Sequence, residues 1–120
     1  MLPVPSRRPP ERWVAETRGR ETLRLDIPPD ALRDRTFEIS CSLQVAAKGA
    51  EGAWHALKVL VDGAQEWARR VPTHADGRDS LDVRFRKTVP AGRPLRLSAL
   101  GELHRAAAVS LQLVAEEEGG

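Results

Sequence analysis

Phe37-Glu38-Ile39-Ser40-Cys41-Ser42-Leu43-Gln44-Val45 decides the fold class. Apolar side chains fall on every second position, with polar ones between them. A helix would repeat its apolar positions every 3.6 residues; a period of two belongs to a strand with one face in a core. The same alternation recurs on both sides. Before it, Leu23, Leu25 and Ile27 alternate with Arg24 and Asp26, and Pro28-Pro29 ends the run. After it come Leu57, Val59 and Val61, closed by Asp62-Gly63, a pair that accepts the positive φ of a tight hairpin. A returning strand runs through Trp67 to Val71. Leu81 to Val89, Leu95 to Ala99 and Val109 to Ala115 repeat the pattern, with Asp76-Gly77 and Pro90-Ala91-Gly92 as breaks. A weaker first strand surrounds Trp13 to Thr17.

The reading is therefore an all-β antiparallel sandwich, jelly-roll-like, of about eight strands. Pro29 to Arg35 has room for one helical turn. Ala106 to Val114 is rich enough in alanine to suggest a helix, but its Val109/Leu111/Leu113 spacing favours a strand. Residues 1–12 carry four prolines and three arginines and read as a flexible N-terminal arm. Residues 13–115 form the domain, and residues 116–120 a short acidic tail that frays. A chain of 120 residues buries about two-thirds of its unfolded surface, enough for a core without staples.

Composition excludes several function classes. The formal net charge is +2, and arginines are interleaved with acids almost everywhere. Nucleic-acid binding needs clustered cations, so that role is disfavoured. No stretch approaches the ~20 apolar residues of a membrane helix. Ser6-Arg7-Arg8 is followed by Pro9-Pro10-Glu11-Arg12 rather than by an apolar segment, so it is not a twin-arginine signal. The lone Cys41 forms no intrachain disulfide and fits a reducing, cytoplasmic setting. It lies in an apolar stripe, where a thiol is inert. His55, His74 and His104 lack metal-ligand spacing, and His55 shares the parity of Leu57 and Val59, at the rim of the core. Asp76-Gly77-Arg78-Asp79 offers two carboxylates with an arginine between them, which reads as a polar turn rather than a calcium loop. No catalytic constellation is present, so the expectation is a non-enzyme with no cofactor and no metal.

The outward positions carry the candidate binding residues. Ser40, Ser42 and Gln44, beside Glu38, make a polar stripe of small side chains, and Ser98, Ser110 and Gln112 repeat it. Arg84, Arg86 and Arg96 point outward and offer a small cationic patch, partly neutralised by Asp26, Asp82 and Glu102. Trp54 faces away from Leu57, Val59 and Val61 and shares its side with Ala56, Lys58 and Leu60. An outward Trp beside an outward Leu is either a contact site or folds over a sheet edge. Leu100 and Val114 are outward as well, whereas Trp67 shares the parity of Val71 and belongs to the core.

The segment Leu57-Lys58-Val59-Leu60-Val61-Asp62-Gly63 with Trp67, then Val89-Pro90-Ala91-Gly92-Arg93-Pro94-Leu95-Arg96-Leu97, resembles the second half of jelly-roll carbohydrate-binding modules. Those share a V-x-V-D-G-x-x-x-W hairpin followed by a G-x-x-L-x-L strand. The resemblance covers about a third of the chain and implies a jelly roll with a sugar as ligand. Family members bind sugar through several aromatics and act outside the cell; this chain has no Tyr and no signal segment in its sequence. The first expectation for function is an interaction module that self-associates or docks on a larger protein assembly as an adaptor, decoration or accessory domain. The alternative is a carbohydrate-binding module.

Overall fold

The computed structural model describes residues 9–49, 51–75 and 77–119. Among the described residues eight strands follow one another: β1 (Arg12–Arg18), β2 (Thr22–Ile27), β3 (Arg35–Ala47), β4 (Trp54–Val61), β5 (Ala64–Pro72), β6 (Arg78–Val89), β7 (Leu95–His104) and β8 (Ala106–Glu117). They form two four-stranded sheets, in the orders β1-β8-β3-β6 and β2-β7-β4-β5. All pairings are antiparallel.

The pairs β1·β8, β2·β7, β3·β6 and β4·β5 are nested around the Asp62-Gly63 turn. The chain is thus one long hairpin rolled up, so that its strand pairs fall alternately into the two sheets. This is the jelly-roll arrangement. At the hairpin's tip, Asp62 and Gly63 have φ of 50° and 85°, the double positive φ of a two-residue turn whose twist matches its strands.

Alternation then fills the core from both sheets. Phe37, Ile39, Cys41, Leu43 and Val45 from β3 meet Leu57, Val59, Leu97 and Ala99 from the other sheet, all essentially inaccessible to water. A bulge places Val59 opposite Trp67, while Leu60 faces Gln65 and Glu66 is the extra residue. Without it the register of the turn would set Glu66 against Val59 and aim it inward, since a one-residue slip reverses every side chain. The bulge thus turns Trp67 inward, and Trp67 packs half-buried against the core.

Two expectations change, and the strand reading of the alanine-rich segment holds. Residues 28–34 form an irregular loop with no helical turn. The alanine-rich segment from Ala106 is strand β8 throughout, because pairing to both β1 and β3 outweighs a weak local helix preference. The ends of the domain also extend further than 13–115: Arg12 opens β1, and β8 continues through Glu117 into the segment read as a fraying tail. The rest of the arm, residues 1–8, lies outside the described residues, as do Asp76 of the second turn and Gly120.

The physical reason for the longer ends is an ionic clasp. Arg35, only 2% exposed, donates from Nη1 to Glu11 Oε1 at 2.8 Å and from Nη2 to the Pro28 carbonyl at 2.9 Å. Arg33 reaches Glu117 at 2.7 Å, Asp30 at 3.2 Å and Glu11 at 3.4 Å. Trp13 Nε1 donates to Glu11 Oε1 at 2.9 Å. Burial pushes the Glu117 carboxyl up, but the Glu11 backbone N–H and the Arg33 guanidinium more than reverse this and hold it below its ordinary value. The entry and exit of the domain are tied to the β2–β3 loop.

Candidate functional site

The two outer faces differ in what their side chains touch. On the β1-β8-β3-β6 sheet the rows across the strands are Arg12–Glu116–Glu38–Arg86, Val14–Val114–Ser40–Arg84, Glu16–Gln112–Ser42–Asp82 and Arg18–Ser110–Gln44–Ser80. Here the polar stripe of Ser40, Ser42 and Gln44 does adjoin Ser110 and Gln112. Ser98 does not join it, because β7 belongs to the other sheet. Arg84 and Arg86 are outward and exposed, yet Arg84 sits 3.2 Å from Glu38 and Arg86 2.6 Å from Glu118. The Glu118 carboxylate raises the Arg86 pKa further. Val114 points outward but is buried among its neighbours, leaving Val14 as the exposed apolar residue of this face.

Arg96 lies on the opposite side of the sandwich, so the expected patch of Arg84, Arg86 and Arg96 is not assembled. Arg96 Nε donates to Asp26 at 2.9 Å, and Arg24 holds the other oxygen of Asp26 at 3.0 Å. The bond from Arg96 is the main reason the Asp26 carboxyl lies below its ordinary value. With Asp62, Gly63, Pro94 and Ser98 these residues line an open groove of about 740 Å³.

The β2-β7-β4-β5 sheet brings Trp54, Lys58 and Leu60 onto one face, as their parity requires. Trp54 is only half-buried. His104, directly across on β7, stacks on it with 5.8 Å between ring centroids and 16° between planes. The Arg70 guanidinium lies 3.7 Å over its ring. Trp54 therefore points outward and also packs locally. Next to it the rows Glu102–Ala56–Arg70 and Leu100–Lys58–Ala68 enclose a shallow dent of about 350 Å³. Ala56 and Ala68 leave its floor low, while Lys58, Arg70, Leu100 and Glu102 stand around it. Leu100 is 38% exposed. Leu32, in the β2–β3 loop, is more exposed but stands singly, which is ordinary for a surface.

The faces differ in where unpaired cations cluster. Outward Arg12, Arg18, Arg24, Arg84, Arg86 and Arg96 each lie within 4.0 Å of a carboxylate. Among the described residues, outward Lys58 and Arg70 on the second face have no such partner, and on the first face Arg78 stands alone in the same way; only Lys58 and Arg70 are neighbours. Arg70 is the functional candidate that sequence reading missed. Its signal was present, since a two-residue turn at Asp62-Gly63 predicts which β5 residues lie across from Ala56, but the bulge shifts that register by one.

His55 is fully buried rather than at the rim; its Nδ1 lies 2.7 Å from Thr73 Oγ1, and its Nε2 has no partner among the described residues. Cys41 is buried in the core, and burial raises its thiol to about 12. At that value the nucleophilic thiolate is scarce near neutrality. Among the described residues no helix is long and apolar enough to cross a membrane.

No protein-family model matches the chain, and no curated protein matches it. Solved structures do match. Over 98% of this chain and 14% of the other, it is similar to dimeric latent PorU from Porphyromonas gingivalis, with 9% identity and a TM-score of 0.56. Over 89% of this chain and 21% of the other, it is similar to the mosquito-larvicidal Cry4Aa toxin from Bacillus thuringiensis, with 7% identity and a TM-score of 0.52. A family 35 carbohydrate-binding module from an environmental isolate matches 87% of this chain and 77% of its own at 14% identity, with a TM-score of 0.43. These likenesses are likenesses of fold: the chain is a jelly-roll sandwich, a unit that spans about a seventh to a fifth of the first two proteins.

Proposed function

We propose that the chain is a non-catalytic interaction module that docks on a protein partner through the outer face of the β2-β7-β4-β5 sheet. The observation that carries this is the pair of outward cations, Lys58 and Arg70, left without a carboxylate beside an exposed Leu100 and an alanine-floored dent. Unpaired charge next to exposed apolar surface is what an interface rim and core need before the partner arrives. The buried and unpaired Cys41 needs no oxidising compartment, which supports a cytoplasmic setting.

The test is a photo-crosslinking side chain placed at Leu100 or at Ser40, in the organism's own cells. A discrete adduct from position 100 and none from position 40 is expected. Equal labelling from both faces, or none from either, removes the proposal.

The carbohydrate alternative has one specific support, the polar groove at Asp26, Asp62, Arg96 and Ser98. Its hydrogen-bonding capacity is partly used within the protein, since Asp62 Oδ1 already accepts from the Arg96 backbone N–H at 2.9 Å. Retardation of the native protein in gels containing soluble polysaccharides, lost on Asp26→Ala, is the result that would favour this reading over protein docking.

A further inference from the structure

We propose that the segment docked on this face is acidic: a peptide with one carboxylate seated between Lys58 and Arg70, above Ala56, and an apolar side chain against Leu100. The proposal rests on the docking reading above and specifies the chemistry of the partner.

Lys58 on β4 and Arg70 on β5 are diagonal neighbours, because Arg70 faces Ala56 and Lys58 faces Ala68. Diagonal positions are roughly 7–8 Å apart, within reach of two long side chains converging on one carboxylate. Arg70 is already held in place by Trp54, 3.7 Å beneath its guanidinium. A stacked guanidinium keeps its in-plane N–H groups free, so the donor fork is oriented before binding and less side-chain freedom is lost. Glu102 borders the same dent but comes within 4.0 Å of neither cation among the described residues.

The other occupants fit less well. The chain's own acidic end is already committed: Glu116 pairs with Arg12, Glu117 with Arg33 and Glu118 with Arg86. A second copy presenting the same face would bring like charge to like, since Arg24, Lys58, Arg70 and Arg96 are balanced there by Asp26 and Glu102 alone. Like charges across an interface suppress association. A nucleic acid would meet three cations at the dent, Lys58, Arg69 and Arg70, beside Glu102, few for a binding mode built on many phosphate contacts.

The experiment measures fluorescence anisotropy of a labelled short peptide in which Glu alternates with Ser around a central Leu, and of its Gln counterpart. The full chain is compared with Lys58→Gln/Arg70→Gln and Arg84→Gln/Arg86→Gln, each checked for an unchanged thermal melt. Lys58→Arg keeps both charges and the stacked Arg70 fork and should retain binding. The Glu peptide should bind about tenfold or more tightly than the Gln peptide, more weakly as salt rises, and its advantage should vanish only in the Lys58/Arg70 glutamine variant. Equal binding of the two peptides, no binding of either, an unaffected Lys58→Gln/Arg70→Gln variant, or stronger competition by single-stranded oligothymidylate than by free Glu peptide would each overturn the proposal. If the crosslink from position 100 persists while the peptide result fails, the docking face stands and its acidic partner does not.

Discussion

The outer face of the β1-β8-β3-β6 sheet pairs four of its outward arginines with carboxylates and, among the described residues, leaves Arg78 alone at the start of β6, whereas the outer face of the β2-β7-β4-β5 sheet leaves two neighbouring cations, Lys58 and Arg70, without one. On the first, Arg12, Arg18, Arg84 and Arg86 are each matched by a nearby Glu, and the sheet ends in the clasp of Glu11, Arg33, Arg35 and Glu117. On the second, Lys58 and Arg70 are left over, with Trp54 supporting one of them from below. The same fold, with the same alternation, thus yields one face tied into the clasp and one on which two neighbouring cations lie beside an exposed Leu100. If that division is right, substitutions near the clasp should act on folding, and substitutions on the second face should act on binding.

The largest effect is expected at Arg35. Its side chain is buried, and it satisfies Glu11 and the Pro28 carbonyl together. Arg35→Leu takes one donor from Glu11, which keeps Trp13 and Arg33, and one from the Pro28 carbonyl, and breaking a buried pair from one side costs about 3–5 kcal/mol. A shift of the denaturant midpoint of that size is the expected result. An unchanged midpoint would show the clasp to be ornamental and would weaken the division between the faces.

Next in size is the contrast between two tryptophans. Trp67 packs against the core, so Trp67→Ala should cost roughly 3 kcal/mol. Trp54 lies outside the core and is held by Arg70 and His104, so Trp54→Ala should cost less, about 1 kcal/mol, much of it from the lost cation–π contact. Paired unfolding curves measure both. A larger loss at Trp54 than at Trp67 would make Trp54 a structural residue of the domain.

The clasp also has a pH signature. The Glu117 carboxyl titrates below its ordinary value of 4.5 in the folded protein. A depressed carboxyl contributes stability that is fully present above the unfolded value and is lost as the pH falls through the folded value. Glu117→Gln should therefore be less stable than the wild type at pH 7, and the gap should close as the pH is lowered below about 4.5. A gap that stays constant down to strongly acidic pH would mean that the Glu117 side chain acts through packing alone.

The fold was largely legible because alternation is a local property. Phe37 to Val45 identifies its buried side without knowledge of any other strand. What the sequence could not supply is which strands become neighbours. Ser98 looks like Ser42, yet they lie on opposite sides of the sandwich; Arg84 and Arg96 are separated in the same way. The clasp was hidden for a different reason. Glu11 and Glu117 sit in segments whose composition reads as arm and tail, and they are held by each other, by β3 and by Arg33 and Arg35, all far away in sequence. One local clue pointed there: Arg35 shares the parity of Phe37 and Ile39, and a charge on the core side of a strand needs a partner.

The smallest stability effect is expected at Leu100, and it is the sharpest test of the comparison. Leu100 is 38% exposed and stands on the outer side of β7, between Thr22 and Lys58. Truncating it to Ser removes little buried surface, and surface substitutions away from caps, cores and ion pairs usually stay within about 0.5 kcal/mol. The same substitution on a docking face takes an apolar contact from the centre of the buried patch, where single residues commonly account for more than 1 kcal/mol of binding. Leu100→Ser should therefore melt like the wild type while weakening binding of the Glu peptide severalfold. Val14→Ser, on the charge-matched face, is its control and should leave the affinity unchanged. Equal losses of affinity in the two variants would show that the difference in charge matching between the faces does not direct binding.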